Sequence, residues 1–381
     1  MNDFLHLGKT VIPFIKSCKH NGNIGGYRYS TTMDQQTLYS SAYAAMTYSL
    51  LGLTPALSVS DKKIWADYLN NYQDADGLYR DPIIYGQGWY TDDPLWCGRA
   101  HLTCHVLTAL GCLGYAAEKP LLFLNPYKDK DTLIDWLSRL DFGKQIAWTG
   151  NELMNIGTLL QYSRDSHADK DAGEAVDVML EWLSSNHINE KTGLWGSLDI
   201  EDPLLRSDAV QAAYHWWPLF LYDKYPVPFM ENAIDNVLKT QNVQGGFGWG
   251  RHNPESPFNS SACEDIDSID PLTRFSRLTS HRRSEVRDAL LRAKKHVLSN
   301  QQPDGGFVFI KDRNFEYGHP QLSGAAHTGA MFPTWFRTLS IALIDTWLCE
   351  TDQVPSPYTF VNIPGFQFWD KTGRFFAKRT Q

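Results

Sequence analysis

Between Cys263 and Asp270 the chain reads Cys-Glu-Asp-Ile-Asp-Ser-Ile-Asp, four carboxylates in eight residues with Ile266 and Ile269 between them. An acidic run of this kind has a plain reading as a solvated face. Its chemical reading is acid catalysis. Carboxylates crowded together in a low dielectric keep one of their number protonated, and a hydrogen-bonded neighbour, His or water, restores the proton after transfer. Which reading holds depends on the elements around the cluster.

Two copies of one pattern bracket it. Gln241-Asn242-Val243-Gln244-Gly245-Gly246-Phe247-Gly248-Trp249 stands upstream, and Gln301-Gln302-Pro303-Asp304-Gly305-Gly306-Phe307 begins 36 residues after Asp265. Turns of the same kind start at Gln73 (Gln-Asp-Ala-Asp-Gly-Leu-Tyr) and at Asn189 (Asn-Glu-Lys-Thr-Gly-Leu-Trp-Gly). The starts lie 116, 52 and 60 residues apart, so the first gap is about twice the others and the chain has space for about six units.

Between the turns the apolar spacing is helical: Met230, Ala233, Ile234, Val237 and Leu238; Val286, Leu290, Ala293 and Val297, after Ser284 as N-cap; Val176, Met179, Leu180 and Leu183. Each unit is a helix that ends in a glycine turn, followed by a second helix. The glycines supply positive φ, and the aromatic packs into the adjoining unit. Two-helix units cannot cover their own apolar faces and must stack. Periodicity allows either a closed ring or an open solenoid. Small and polar residues open two of the helices, Asp93 to His105 and Gly324 to Ala330, and in a ring such inner-helix starts point to the central cavity.

At these turns the chain resembles the terpene cyclase and protein prenyltransferase superfamily, whose repeats have the same Gln-to-Gly-Gly-aromatic form. Asp265-Ile266-Asp267-Ser268 resembles the Asp-x-Asp-Asp acid motif of class II terpene cyclases such as the squalene-hopene type. The resemblance is carried by residues 241–310 and 325–349. It implies an all-α (α/α)6 toroid over 36–381, with 1–35 as an N-terminal segment or lid, and protonation-initiated cyclisation of a linear polyprenyl-type substrate. Asp267 would then be the proton donor and Asp265 its neighbour in the motif, while Ser268 departs from the fourth position. His327, 62 residues after Asp265, becomes the partner of Asp267. Trp249, Phe307, Phe309, Trp335 and Phe336 become cavity walls, and Arg337 a contact for a diphosphate or for an acidic neighbour.

The prenyltransferase branch would hold zinc through Asp-x-Cys, but Asp267 stands where the thiolate is needed, so no metal site is expected. Protonation needs no cofactor; Mg2+ enters only with a diphosphate. A lone domain enclosing a cation also needs its mouth covered, by the N-terminal segment or in a homodimer. Two other readings stay open: a toroidal polysaccharide lyase or epimerase, for which Tyr214-His215-Trp216-Trp217 would suit sugar stacking, and a non-catalytic toroid that binds a lipid or a partner subunit.

Composition fits a globular protein with a sizeable core: 381 residues, 43% hydrophobic and 20% charged. A net charge of -8 argues against a nucleic-acid partner. Aromatics are abundant, with 13 Trp, 18 Tyr and 19 Phe, serving core packing or ring-faced cavity walls. No signal-peptide or membrane-spanning pattern occurs in the first 19 residues, and the six cysteines show no framework spacing, so a cytoplasmic protein is expected, with peripheral membrane contact open.

Overall fold

The computed structural model describes residues 2–85 and 99–365. Twelve α-helices alternate between two layers among these residues. The outer ones are α1 (Asn2–Ser17), α3 (Val59–Asn70), α5 (Lys130–Ser138), α7 (Lys170–Ser185), α9 (Met230–Leu238) and α11 (Arg283–Leu298). The inner ones are α2 (Leu38–Leu50), α4 (Arg99–Leu113), α6 (Ile146–His167), α8 (Pro203–Tyr222), α10 (Ala262–Phe275) and α12 (Met331–Thr351). Each inner helix packs on the next in chain order, and α12 returns to pack on α2. The ring is closed, an (α/α)6 toroid, which excludes the open solenoid.

Burial follows this layering. An outer helix hides one stripe, as α7 does with Ala172, Ala175, Val176, Met179, Leu180 and Leu183. Inner helices are enclosed from both sides, so all of α2 is buried and small residues such as Ser40, Ser41, Ala44 and Ala45 let its neighbours approach. Helix starts are fixed by side-chain caps, among them Asp169, Asp202 and Ser261, the last in a reciprocal box with Glu264. Helix α11 starts at Arg283, one residue before the Ser284 expected as its cap.

The four glycine turns occupy equivalent places, each joining an outer helix to the following inner one. Gln73, Gln241 and Gln301 bridge to Tyr79, Phe247 and Phe307 respectively, and the Asn189 turn is closed by a two-stranded ribbon, β1 (Ile188–Asn189) with β2 (Leu194–Trp195). Each Gln Nε2 donates to the carbonyl four residues on, Gly77, Gly245 or Gly305, at 3.0, 2.9 and 2.9 Å. The same nitrogen also reaches the adjoining unit, at Lys119 O, Ala289 O and Thr10 Oγ1, each at 2.8 Å. The aromatic's backbone N–H then donates to the first turns of the inner helix, to Thr103 Oγ1, Asp265 Oδ1 or Thr334 Oγ1. The repeat is thus stapled by side chains as well as by packing.

The N-terminal segment belongs to this wall and forms no lid. Helix α1 takes the outer position beside α12 and meets the last turn through His6 and Thr10, and Tyr29 O accepts the N–H of Met331. No described residue of 1–35 lines the cavity described below. Among the described residues no helix is long and apolar enough to cross a membrane.

Gly305 shows why the turn needs glycine. Its φ is +93° and a Cβ there would run into the Thr10 carbonyl of α1. Gly305→Ala is expected to destabilise the protein by about 2–5 kcal/mol in urea unfolding, combining the left-handed backbone with a backbone clash. Gly114, at φ +85° with nothing within 4 Å of the added carbon, should lose only about 1–2 kcal/mol on the same change.

Candidate active site

A cavity of about 380 Å³ opens among the inner helices. It takes His101 from α4, Trp148 and Asn151 from α6, and Cys263 and Asp267 from α10, all from the first two turns of their helices. Helix α8 contributes Gln211, Tyr214 and His215 from its third and fourth turns, and the loop before α10 adds Arg251 and His252. The remaining wall is aromatic: Phe309, Phe315 and Tyr317 from the 307–330 loop, with Phe332 and Phe336 from α12.

Asp267 is the only carboxylate among the described lining residues. Burial, then the negative charges of Glu264, Asp270 and Asp265, hold its carboxyl well above the ordinary 3.8, which favours the protonated acid. His101 and His215 face the same space as neutral rings: burial depresses both, His215 to about 4, with His105 and His215 adding to the effect on His101. The Tyr39 hydroxyl lies 2.8 Å from His101 Nδ1 and fixes that ring. His252 is held from behind, its Nδ1 2.9 Å from Ser261 Oγ and 3.7 Å from Glu264 Oε2. Burial pushes Glu264 up, but hydrogen bonds from His252 and Ser261 outweigh it and keep Glu264 a carboxylate. Arg251 Nε reaches Asp208 Oδ1 at 3.2 Å, on the α8 face that carries Gln211 and His215.

Asp265 points elsewhere. Fully buried, it accepts the Phe247 N–H at 3.0 Å on Oδ1 and Arg337 Nη1 at 2.9 Å on Oδ2, with His296 Nε2 at 3.7 Å. It holds the place that Thr103 and Thr334 hold in other repeats, so it is a turn latch whose charge is compensated. Arg337, 0% exposed, also donates to the carbonyls of Val308, Phe309 and Ser260, so four of its five N–H groups are engaged within the fold and it does not line the cavity. Ser268 faces Thr240, 3.4 Å away, behind the cavity. Asp270, at the end of the acidic run, is not part of a solvated face: it is buried and ion-paired with Arg274 at 2.5 Å.

His327 does not meet Asp267. The Gly324–Ala330 stretch forms a surface loop after β4 (Ser323–Gly324), which pairs with β3 (Phe315–Glu316), and α12 begins only at Met331, so the His327 side chain is 75% exposed near Asp312. Of the expected walls, Phe309 and Phe336 line the cavity. Phe307 and Trp335 are buried in packing, and Trp249 stacks edge-on with Phe258, away from it. Trp216 and Trp217, expected to be open for stacking, are core residues at 0% and 1% exposure. The opening of α4, Asp93 to Gly98, lies outside the described residues. His101, Trp148, Asn151, Gln211, Arg251, His252, Phe315, Tyr317 and Phe332 had no distinct motif; their one signal was position, near inner-helix starts or on loops above them.

A protonated Asp267 carries a sign for stability. The unfolded chain releases this proton near 3.8 while the folded chain keeps it, so stability falls as pH rises from 3.8 towards the folded value. Asp267→Asn should therefore be more stable than the parent at pH 7 in denaturant titrations, the difference vanishing below about pH 4. Disruption of the latch should do the opposite: Arg337→Met or Asp265→Ala is expected to lose about 3–5 kcal/mol, with the double variant losing much less than the sum.

No family model matches the sequence, and no curated protein does either. Among solved structures, a polysaccharide lyase aligns over 91% of this chain and 97% of its own at 11% identity, with a TM-score of 0.52. The GH76 α-mannanase of Bacteroides thetaiotaomicron aligns over 92% and 97% at 12% identity with a TM-score of 0.47, and the GH76 α-1,6-mannanase of Salegentibacter over 89% and 99% at 11% with 0.45. At such identities the likeness establishes the toroid and nothing finer. It does not bear out the resemblance to class II terpene cyclases: the fold match at a TM-score above 0.5 is to a polysaccharide lyase, so the cyclase assignment and its polyprenyl substrate are withdrawn. The Gln-turn pattern has a structural task of its own in the staples described above.

Proposed function

We propose that the protein cleaves a uronate-containing carbohydrate by β-elimination, with Asp267 as the acid and His252 as the base. The observation that carries this reading is that one cavity receives a protonated carboxyl, a histidine ring held from behind by Ser261 and Glu264, and the Arg251 guanidinium. A toroid shared with a polysaccharide lyase supports it.

Each group has a task. Arg251 neutralises the sugar carboxylate and so stabilises the negative charge that develops when the adjacent C–H bond breaks. His252 takes that proton. The C–O bond on the next carbon breaks, a carbon–carbon double bond forms, and Asp267 delivers its proton to the departing oxygen. A neutral Asp267 also spares an anionic substrate the repulsion that an ionised cluster would exert. His101, His215, Asn151 and Gln211, all uncharged, are suited to the sugar hydroxyls. Neither step needs a metal, and no three His, Cys, Asp or Glu side chains cluster to hold one among the described residues.

Hydrolysis is the second reading, because Asp208 lies beside Arg251 and would supply the second carboxylate that hydrolysis requires.

The test is a panel of uronate polysaccharides followed by mass spectrometry. Elimination gives fragments whose masses sum to the substrate and include an unsaturated end; hydrolysis adds one water. Asp267→Asn and His252→Ala should each lower kcat by about 10²–10⁴ with the fold intact. The parent rate should also fall as pH rises through the raised pKa of Asp267 and the acid loses its proton. Wild-type turnover in Asp267→Asn would end the assignment.

A further inference from the structure

The cavity wall is divided into two arcs of opposite character. From α4 round to α10 it presents His101, Asn151, Gln211, His215 and Asp267, each able to donate or accept a hydrogen bond. Across α12 and the loop before it the lining side chains are all rings, with the Tyr317 hydroxyl as their one polar atom. Phe309 stacks on Phe315 at 3.7 Å between centroids, Tyr317 on Phe332 at 4.5 Å, and Phe336 meets Phe332 edge-on at 4.7 Å. The backbone offers little relief, since the carbonyls of Val308 and Phe309 are already occupied by Arg337.

A pyranose pressed into this second arc would leave rim hydroxyls without partners, at a penalty of about 1–3 kcal/mol for each one buried. An apolar group has no such penalty. Volume points the same way: about 380 Å³ is the size of a small-molecule pocket, enough for one sugar and a ring-sized neighbour rather than a long chain. Asp267 stands on α10, which packs between α8 and α12 and is therefore the junction of the two arcs.

We infer that the natural substrate is amphiphilic, a uronate sugar carrying an apolar, ring-sized group on its C4 oxygen, the oxygen that the elimination expels, with the sugar on the α4–α10 arc and the apolar group against Phe309, Phe315 and Phe332. This rests on the carbohydrate reading above and narrows it. The bond between the two halves then falls beside Asp267, which protonates the oxygen that leaves with the apolar group. Phe315 and Phe332 are the specificity-determining residues.

Binding can be measured without cleavage, in the His252→Ala background, by calorimetry with glucuronic acid, its 4-O-methyl ether, its 4-O-benzyl ether and benzyl alcohol. The 4-O-benzyl ether is expected to bind about a hundredfold more tightly than the 4-O-methyl ether, from burial of one ring. Phe315→Ala, on the loop, and Phe332→Leu, conservative within α12, should each reduce that preference to below about tenfold and leave the 4-O-methyl ether unchanged. Equal affinity for the benzyl and methyl compounds, or equal losses for both in the variants, would overturn the inference while the carbohydrate reading stood. Binding of benzyl alcohol with no binding of any uronate would overturn the carbohydrate reading and the inference with it.

Discussion

The pairing of Asp265 with Arg337 sets the geometry of the cavity. Burying two charges is unfavourable unless they are paired and further hydrogen bonds satisfy them, and here the pair is supported on both sides. Asp265 takes the Phe247 amide and the guanidinium, and Arg337 takes three carbonyls besides. Together they join the turn at 241, helix α10, helix α12 and the start of the aromatic loop. This fixes the rotation of α10 about its axis. Asp267, two residues and about 200° further round, is thereby turned into the ring. Phe309, whose carbonyl is one of those three acceptors, is the first ring of the aromatic wall. One buried pair therefore places both the acid and the surface opposite it.

The same pair explains why neighbouring carboxylates behave so differently. The hydroxyls of Thr103 and Thr334 suffice for the latch in two other repeats, whereas the carboxylate at 265 is accompanied by a guanidinium that compensates its charge. With Asp265 paired to Arg337 and Asp270 to Arg274, much of their charge is compensated close by, and burial is the largest influence on Asp267. The acid is thus made chiefly by desolvation. A crowd of ionised neighbours adds to it without being its main source.

The ring was legible in the sequence because its two signals are local: a 3.6-residue apolar period and a turn whose Gln, glycine and aromatic residues each have a geometric task. Inner-helix starts were also recognisable as cavity positions, and His101, Cys263 and Asp267 conform. What escaped was everything that depends on which side of a buried helix faces the hole. Inner helices are enclosed all round, so Tyr214 and His215 cannot be told by period from Trp216 and Trp217, although the first two line the cavity and the others are core. His327 was misplaced because Gly324 to Ala330 reads like a helix opening, whereas the chain spends those residues on a surface loop. The Asp-x-Asp spacing was read as one motif with one purpose. It is two residues on opposite sides of a helix with separate purposes, and that difference lies in a partner, Arg337, 72 residues from Asp265.

A toroid of this kind gathers the early turns of its inner helices at one cavity, and with them the positive ends of several helix dipoles. That field favours an anionic ligand but would also favour an ionised Asp267. Distance resolves the conflict. Helix α10 begins at Ala262, so Glu264 and Asp265 lie in its first turn, where free amides and the dipole act most strongly, and both are held as partnered acceptors there. Asp267 lies beyond that turn, where the dipole has largely faded and burial prevails. A neutral proton donor can therefore share a cavity with a region that attracts a carboxylate, and the transition from charged to uncharged acid takes place within three residues of one helix.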